Sequence, residues 1–385
     1  MYKIGFDAKR AFTNFTGLGN YSRFTISSLS HLFNYNEYFL YTPKYRDHPL
    51  QEFARAANIT IRKPEGLLKV SSSLWRSYGM AGQMNRDHIE LFHGLNGELP
   101  FCNIESAKVV TIHDLIFLRY PNYYNAFQRF ICTEKAKFAI NNADKIIAVS
   151  RQTADDITHF FGTDPSKIEI IYQGCDPQFY KPADKAQIER AKSLYSLPKR
   201  FIISVGKIEE RKNTESVVKA LSYLPKDLYL YCFGKWTPYA DKVMATAERE
   251  GVKDRVRMVH DADFSILPAL YSLAESLVYV SHFEGFGAPV LEGITYGIPV
   301  ITSSTSSMPE VGGDSAIYAN PSSAKEIADS IEMVLSSPTL KRSMIERGFI
   351  HAKEFRNDKI TERLFDLYTK TISKHKEKDG TKKSS

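Results

Sequence analysis

Apolar residues in this chain recur in short runs rich in valine, isoleucine and aromatic side chains, separated by longer amphipathic segments. The first series comprises Lys3–Ala8, Glu37–Tyr41, Ile59–Arg62, Ile89–His93, Lys108–His113, Lys145–Ser150 and Lys167–Gln173. Such runs suit strands of a parallel sheet with helices on its faces, and their alternation with helical segments predicts an α/β fold. A second series follows: Phe201–Gly206, Leu228–Gly234, Val256–His260, Leu277–Ser281, Val300–Ser303 and Ala316–Ala319. It predicts a second doubly wound domain. Between the two, Pro177, Pro182 and Pro198 surround a charged segment, which puts the junction within Asp176–Lys199.

The expected organisation is therefore a first domain over 1–180, a second over 198–355, and a helix over 356–373. Ile360, Leu364, Leu367 and Tyr368 fall at helical spacing within that last segment. The end, 374–385, is polar and mostly basic and is expected to be disordered. Ligands of doubly wound sheets bind beyond the carboxyl ends of the strands, and two such domains facing each other would form a cleft.

The densest stretch runs from Leu277 to Ser303, LVYVSHFEGFGAPVLEGITYGIPVITS. A buried strand breaks at Gly285 and Gly287, Pro289 suits the first turn of a helix, and Gly297 with Pro299 ends that helix before the next strand. Glycines ahead of a helix bring backbone N–H groups close to a ligand, and the helix N-terminus favours anionic oxygens, so the loop can seat a phosphate. Glu284 lies on this loop and Glu292 is expected in the first helical turn; a carboxylate can accept hydrogen bonds from a pair of neighbouring hydroxyls. An ordinary strand–helix–strand crossover with a solvated Glu292 would explain a glycine loop and one glutamate alone.

The longer string HFEGFGAPVLEGITYGIPVITSSTSSMPEVGG resembles the signature of retaining nucleotide-sugar glycosyltransferases of family 4, the glycosyl transferases group 1, which include bacterial mannosyltransferase-like members of polysaccharide assembly. Glu284 and Glu292 match that family's paired glutamates with seven residues between, and the match continues through Ser307 to Gly312. The resemblance spans about Ile4 to Tyr368. It implies the GT-B architecture, two doubly wound Rossmann-like domains facing across a cleft, 1–180 binding the acceptor and 198–355 the nucleotide sugar, with the terminal helix returning to the first domain. It also implies Glu292 on the ribose hydroxyls, Glu284 near the transferred sugar, and the amides of Phe286 and Gly287 close by. No protein nucleophile is assigned.

Three further segments gain meaning from the same resemblance. Gly17, Gly19 and Asn20 precede the apolar-periodic Tyr21–Leu32; GLGNYS is not a dinucleotide fingerprint, but relatives carry a similar glycine loop near the donor phosphates or the acceptor. KVVTIHD ends a strand in His113 and Asp114, and TIHDLIF resembles the family segment whose histidine approaches the transferred sugar. His93, ending the preceding strand, is expected to line the same wall. In SVGKIEERKN, Arg211 and Lys212 are fixed cations suited to a diphosphate, and Lys207 stands where many relatives have arginine.

Composition adds little. The net charge of +7 is spread over both halves and requires no nucleic acid. Cys102, Cys132, Cys175 and Cys232 show no zinc or redox spacing. Asp261, Ala262 and Asp263 form a DxD triplet, read as a helix cap rather than a metal ligand. Residues 62–84 are basic and amphipathic with Trp75, which suits docking of a lipid-linked acceptor or a peripheral contact with the membrane. No signal-peptide core or membrane span is evident, so the cytoplasm is expected. The expected activity is metal-independent, retaining transfer of a hexose, mannose or glucose, from a GDP- or UDP-linked donor to a glycan or lipid-linked glycan, without a cofactor. A nucleotide-sugar epimerase and a non-catalytic sugar-phosphate binding protein are the alternatives.

Overall fold

The computed structural model describes residues 1–45, 49–65, 71–260 and 263–383, and of residues 49–51, 73 and 379–383 the backbone alone. The chain divides into two compact units. The first holds Met1–Gly174 and Arg356–Ser385, the second Cys175–Phe355. The division thus falls at Gly174, ahead of the proline-marked segment 176–199 where the sequence placed it.

In the first unit seven parallel strands, β1 (Lys3–Asp7), β2 (Glu37–Tyr41), β3 (Ile59–Arg62), β4 (Leu91–Gly94), β5 (Ala107–Ile112), β6 (Lys145–Ala148) and β7 (Ile168–Ile170), lie in the order β3-β2-β1-β4-β5-β6-β7. Their side chains alternate between two buried faces, which is why each run reads as continuously apolar. One face packs Tyr41, Phe92, Val110, Ile112 and Ile146 against Trp75, Met84 and Ile140 from flanking helices. The other meets the last helix, Asn357–Lys383, whose Tyr368 is fully buried. That helix continues past residue 373 to Lys383, where disorder was expected. The segment lacks an apolar stripe but is rich in lysine and glutamate, good helix formers that extend a helix already nucleated by packing.

The second unit repeats the arrangement with six parallel strands, β8 (Phe201–Val205), β9 (Tyr229–Phe233), β10 (Val256–Val259), β11 (Leu277–Tyr279), β12 (Val300–Ser303) and β13 (Ala316–Ala319), in the order β10-β9-β8-β11-β12-β13. Ile202, Leu230, Cys232, Val278 and Ile301 face a helical layer that includes Val217, Val218, Leu221, Val243, Ile327 and Ile331. In both sheets the strand order reverses once: between β1 and β4 in the first unit, between β8 and β11 in the second. Chain connections leave these two points in opposite directions and open a crevice beyond the strand ends.

Candidate functional site

At the β8/β11 reversal the loops following both strands meet. From β8 the chain turns at Gly206 into a single 3-10 turn, Glu210–Lys212, and Asn213 then adopts a left-handed conformation with φ +60. Its side-chain amide donates to the carbonyls of Val280, at 3.0 Å, and Pro321, at 2.7 Å, which ties the cationic loop to the one after β11. The Arg211 guanidinium lies 2.7 Å from Glu284 Oε2 and donates to the Phe283 carbonyl and to Glu209. Lys212 Nζ lies 2.6 Å from Glu284 Oε1, which also accepts from the Tyr279 hydroxyl at 2.9 Å. Two cations thus converge on one carboxylate.

Electrostatics follow from this geometry. Burial works to raise the Glu284 carboxyl, but Lys212 and Arg211 override it and hold the group at about 2. Burial acts first to lower Arg211 as well, yet Glu284, Tyr279 and Glu209 leave it raised. Lys212 stays lowered because burial outweighs the pull of Glu284. Lys207 is more peripheral: its ammonium is half exposed and pairs with Glu209 at 2.8 Å.

The loop after β11 is held from below. Ser306 Oγ accepts from the Glu284 amide at 3.1 Å, and Ser307 Oγ donates to the carbonyls of Glu284 and Phe286 at 3.0 and 2.8 Å. Gly285, Phe286 and Gly287 are buried, and Gly287 caps the helix Ala288–Tyr296 with φ +98. A β-carbon there would be strained in backbone and would come within 2.2 Å of the Met308 methyl group. Glu292 lies in the second turn of this helix, not the first, because the helix starts at Ala288. Its carboxyl is buried, and burial together with the nearby Asp176 pushes it up to about 8. The Tyr271 hydroxyl beside the carboxyl offsets this in part.

In the first unit, His113 follows β5. Its Nε2 lies 2.9 Å from the Leu95 carbonyl and its Nδ1 3.2 Å from Gln173 Nε2. The carbonyl requires the proton on Nε2, so Nδ1 accepts from the amide. The ring stands edge-on to Tyr21, with centroids 4.6 Å apart, and burial pulls its pKa down to about 4. Asp114 Oδ1 accepts from the Ile116 amide. Gly17, Gly19 and Asn20 form the first turn of the helix Gly17–Leu32 rather than a loop before it. A β-carbon on Gly19 would come within 1.7 Å of the Asn14 carbonyl, and Asn20 Oδ1 accepts from Arg23.

Two expectations are corrected. His93 does not line a ligand wall: it is fully buried, bonded through Nδ1 to Tyr368 and through Nε2 to Thr111, and burial pulls it down to about 3. Trp75 is also fully buried, its indole N–H donating to Gln83, so the residue singled out for a membrane interface belongs to the core. Of residues 62–84, positions 66–70 lie outside the described residues, as do Asp261 and Ala262 of the DxD triplet. Asp263 accepts from the Ser265 amide as a cap. Tyr279 and Ser306 were not expected in the site, and Ser307 entered only as part of the family string, with no role.

Residues 185–351 match the family model described as glycosyl transferases group 1, and residues 34–179 match that of glycosyltransferase family 4. The chain is 28% identical over 286 residues to O-antigen chain mannosyltransferase B of Escherichia coli, covering 72% of this chain and 74% of that protein. It is 26% identical over 293 residues to the serotype-specific mannosyltransferase WbdA of Escherichia coli; this covers 73% of this chain and only 36% of WbdA. Among solved structures, Anabaena HepE in complex with UDP-glucose superposes with a TM-score of 0.76 at 13% identity, over 96% of this chain and 100% of that one. That likeness carries the GT-B fold.

Proposed function

This chain belongs to the group 1, family 4 glycosyltransferases, and from that premise we propose that it transfers a hexose, with retention and without a metal or cofactor, from a nucleotide diphosphate sugar to a glycan acceptor. The observation that carries the reading is the convergence of Arg211 and Lys212 on Glu284 beside the glycine-capped helix. Breaking the anomeric bond puts negative charge on the departing diphosphate, and cations already fixed in place stabilise that charge without reorganising. Arg211 and Lys212 hold the diphosphate, and the Gly287 end of the Ala288–Tyr296 helix adds its positive dipole. Glu284 orients both cations and stands beside the sugar.

Glu292 takes the ribose diol. At about 8 its carboxyl is mostly protonated near neutrality, so accepting two hydroxyl hydrogen bonds as a carboxylate requires it to lose that proton. His113, neutral and with a fixed tautomer, positions the sugar without exchanging protons. Mannose is the hexose favoured by the two mannosyltransferase relatives. A lipid-linked form of the acceptor and a peripheral contact with the cytoplasmic membrane belong to the same reading; among the described residues no helix is long and apolar enough to cross a membrane.

The experiment is equilibrium binding of GDP, UDP, ADP and dTDP in EDTA to the wild-type protein and to Glu292→Ala. Selective binding of one nucleotide, weakened about ten- to hundredfold in the variant, is expected from the loss of charged hydrogen bonds. A folded protein that binds none of the four in EDTA, but binds one after magnesium is added, overturns metal independence. Binding of none in either condition overturns the donor assignment.

A further inference from the structure

Val278 and Val280 face the helical layer of the second unit, so the side chain between them on β11, Tyr279, emerges on the opposite face. A buried parallel strand favours aliphatic residues, and a tyrosine there brings a hydroxyl that needs a partner. Tyr279 is buried, β11 lies between β8 and β12, and the Tyr279 carbonyl accepts from Thr302 Oγ1 at 2.7 Å. Its position is therefore set by the sheet. Lys212, by contrast, comes from a short 3-10 turn on a four-carbon stem with much rotamer freedom.

We propose that Tyr279 is a positioning residue, which keeps the Lys212 ammonium aimed at the departing diphosphate through a hydroxyl that carries no charge. Lys212 Nζ donates to the Tyr279 hydroxyl at 2.5 Å, and that hydroxyl donates in turn to Glu284 Oε1 at 2.9 Å, the oxygen that Lys212 meets at 2.6 Å. The three groups close a triangle. Nζ lies beyond the oxygen end of the ring rather than over its face, since its 5.1 Å from the ring centroid is close to the longest reach that a 2.5 Å contact with the hydroxyl allows. The oxygen holds the cation, and the π face does not.

An ammonium has three N–H groups, and with two directed at Glu284 and Tyr279 the direction of the third is fixed. A second carboxylate in place of the phenol would also hold Lys212 but would cancel the charge that a diphosphate has to meet; a neutral hydroxyl leaves that charge standing. Burial and the neighbouring Glu284 raise the Tyr279 hydroxyl well above its ordinary range, so it stays neutral. Of the charged groups around Lys212, Glu284 and Glu209 favour its proton and Arg211 disfavours it, while burial outweighs the carboxylates. Removing the hydroxyl takes away an acceptor that serves the charged form, which makes the ammonium easier to deprotonate.

The role in turnover rests on the transferase reading, whereas the hold on Lys212 does not. The test compares the wild type, Tyr279→Phe, Lys212→Ala and the double variant by release of nucleoside diphosphate from GDP-mannose and UDP-glucose, across pH, with water as the acceptor. Each turnover forms a bond from water to the anomeric carbon, breaks the bond to the diphosphate and releases one proton. In parallel, Lys212 is titrated by NMR in wild type and Tyr279→Phe carrying carbon-13-labelled lysine, with Lys212→Ala identifying its signal. Phenylalanine keeps the buried ring.

Tyr279→Phe should lower kcat on the preferred donor about tenfold, the loss of one hydrogen bond to a charged group, with KM held within about twofold. It should cost nothing further when Lys212 is already alanine. The alkaline limb of kcat and the Lys212 titration should both move to lower pH. Turnover equal to wild type overturns the assignment, as does the same fractional loss with and without Lys212, because the hydroxyl would then act on the fold alone. An unmoved Lys212 titration overturns it whether or not either donor turns over. A titration that moves in a protein that turns over neither donor sinks the donor reading, and the role in turnover with it, and leaves the hold on Lys212 standing.

Discussion

The two strand-order reversals place charged clusters at equivalent points of two similar sheets, yet with opposite groups at the centre. Beyond β8 and β11, Arg211 and Lys212 share Glu284; beyond β1 and β4, Arg76 is shared by Asp7 and Glu98. In the first cluster, Glu209 also pairs with Arg211 and Lys207, so three cations face two carboxylates. In the second, Lys135 pairs with Glu98 and Lys9 lies within electrostatic reach, so three cations again face two carboxylates. Topology therefore decides where a charged cluster can form, and the group at its centre differs: a carboxylate shared by two cations in the second unit, a guanidinium shared by two carboxylates in the first.

The largest expected effect tests the surplus of charge in the second unit. Lys212→Ala should lower turnover of the bound nucleotide sugar roughly 10²–10³-fold, the range seen when one preorganised charge-stabilising donor is lost, while donor affinity falls less. Steady-state kinetics on the preferred donor would refute this by showing lost affinity with turnover unchanged. Glu284→Gln removes the anion that both cations share and should destabilise the protein by about 3 kcal/mol in denaturant unfolding, since two partly buried charges lose their partner. A midpoint equal to wild type would mean that the cluster is not held together by that charge.

A smaller effect isolates buried polarity that serves no ligand. His93→Leu strands the Tyr368 hydroxyl, while Thr111 keeps its bond to Tyr21, and a loss of about 1–3 kcal/mol in stability with nucleotide affinity intact is expected. Weakened nucleotide binding with stability unchanged would return His93 to the site from which its burial removes it.

The smallest effect is a slope. With Glu292 raised to about 8, its proton must leave before the carboxylate binds a diol, so nucleotide affinity should rise by up to tenfold per pH unit from 6 to 8 and level off above. The same shift acts oppositely on stability. The native state binds more protons than the unfolded state between the ordinary carboxyl range and 8, so this group's contribution falls as pH rises through that window and is constant above it. Isothermal titration at several pH values would show a flat profile if Glu292 does not meet the ligand, and the slope should vanish in Glu292→Gln.

The strand runs were legible in sequence to within three residues because a strand covered on both faces must be apolar throughout, which is a local property. The Gly287 turn and the helix it opens were legible for a similarly local reason: glycine, then proline, then an apolar run admits few backbones. Glu284, Arg211 and Lys212 could be named from their motif. Their convergence on one another could not, since it depends on loops 72 residues apart meeting beyond adjacent strands.

The sequence by itself therefore determined the alternation of elements, the division into two sheets and the residue types available at each loop, all set by short-range patterning. Tertiary structure alone decided which polar groups would be charged, neutral or shared. His93 and His113 lose their charge through burial, Glu284 keeps it through two neighbours, and Glu292 is pushed the other way by burial and Asp176. It also joined Asp7 to Arg76 across 69 residues and sank Trp75 into the core. The physical reason is that desolvation and Coulomb interaction depend on distances through space, which no local pattern along the chain encodes.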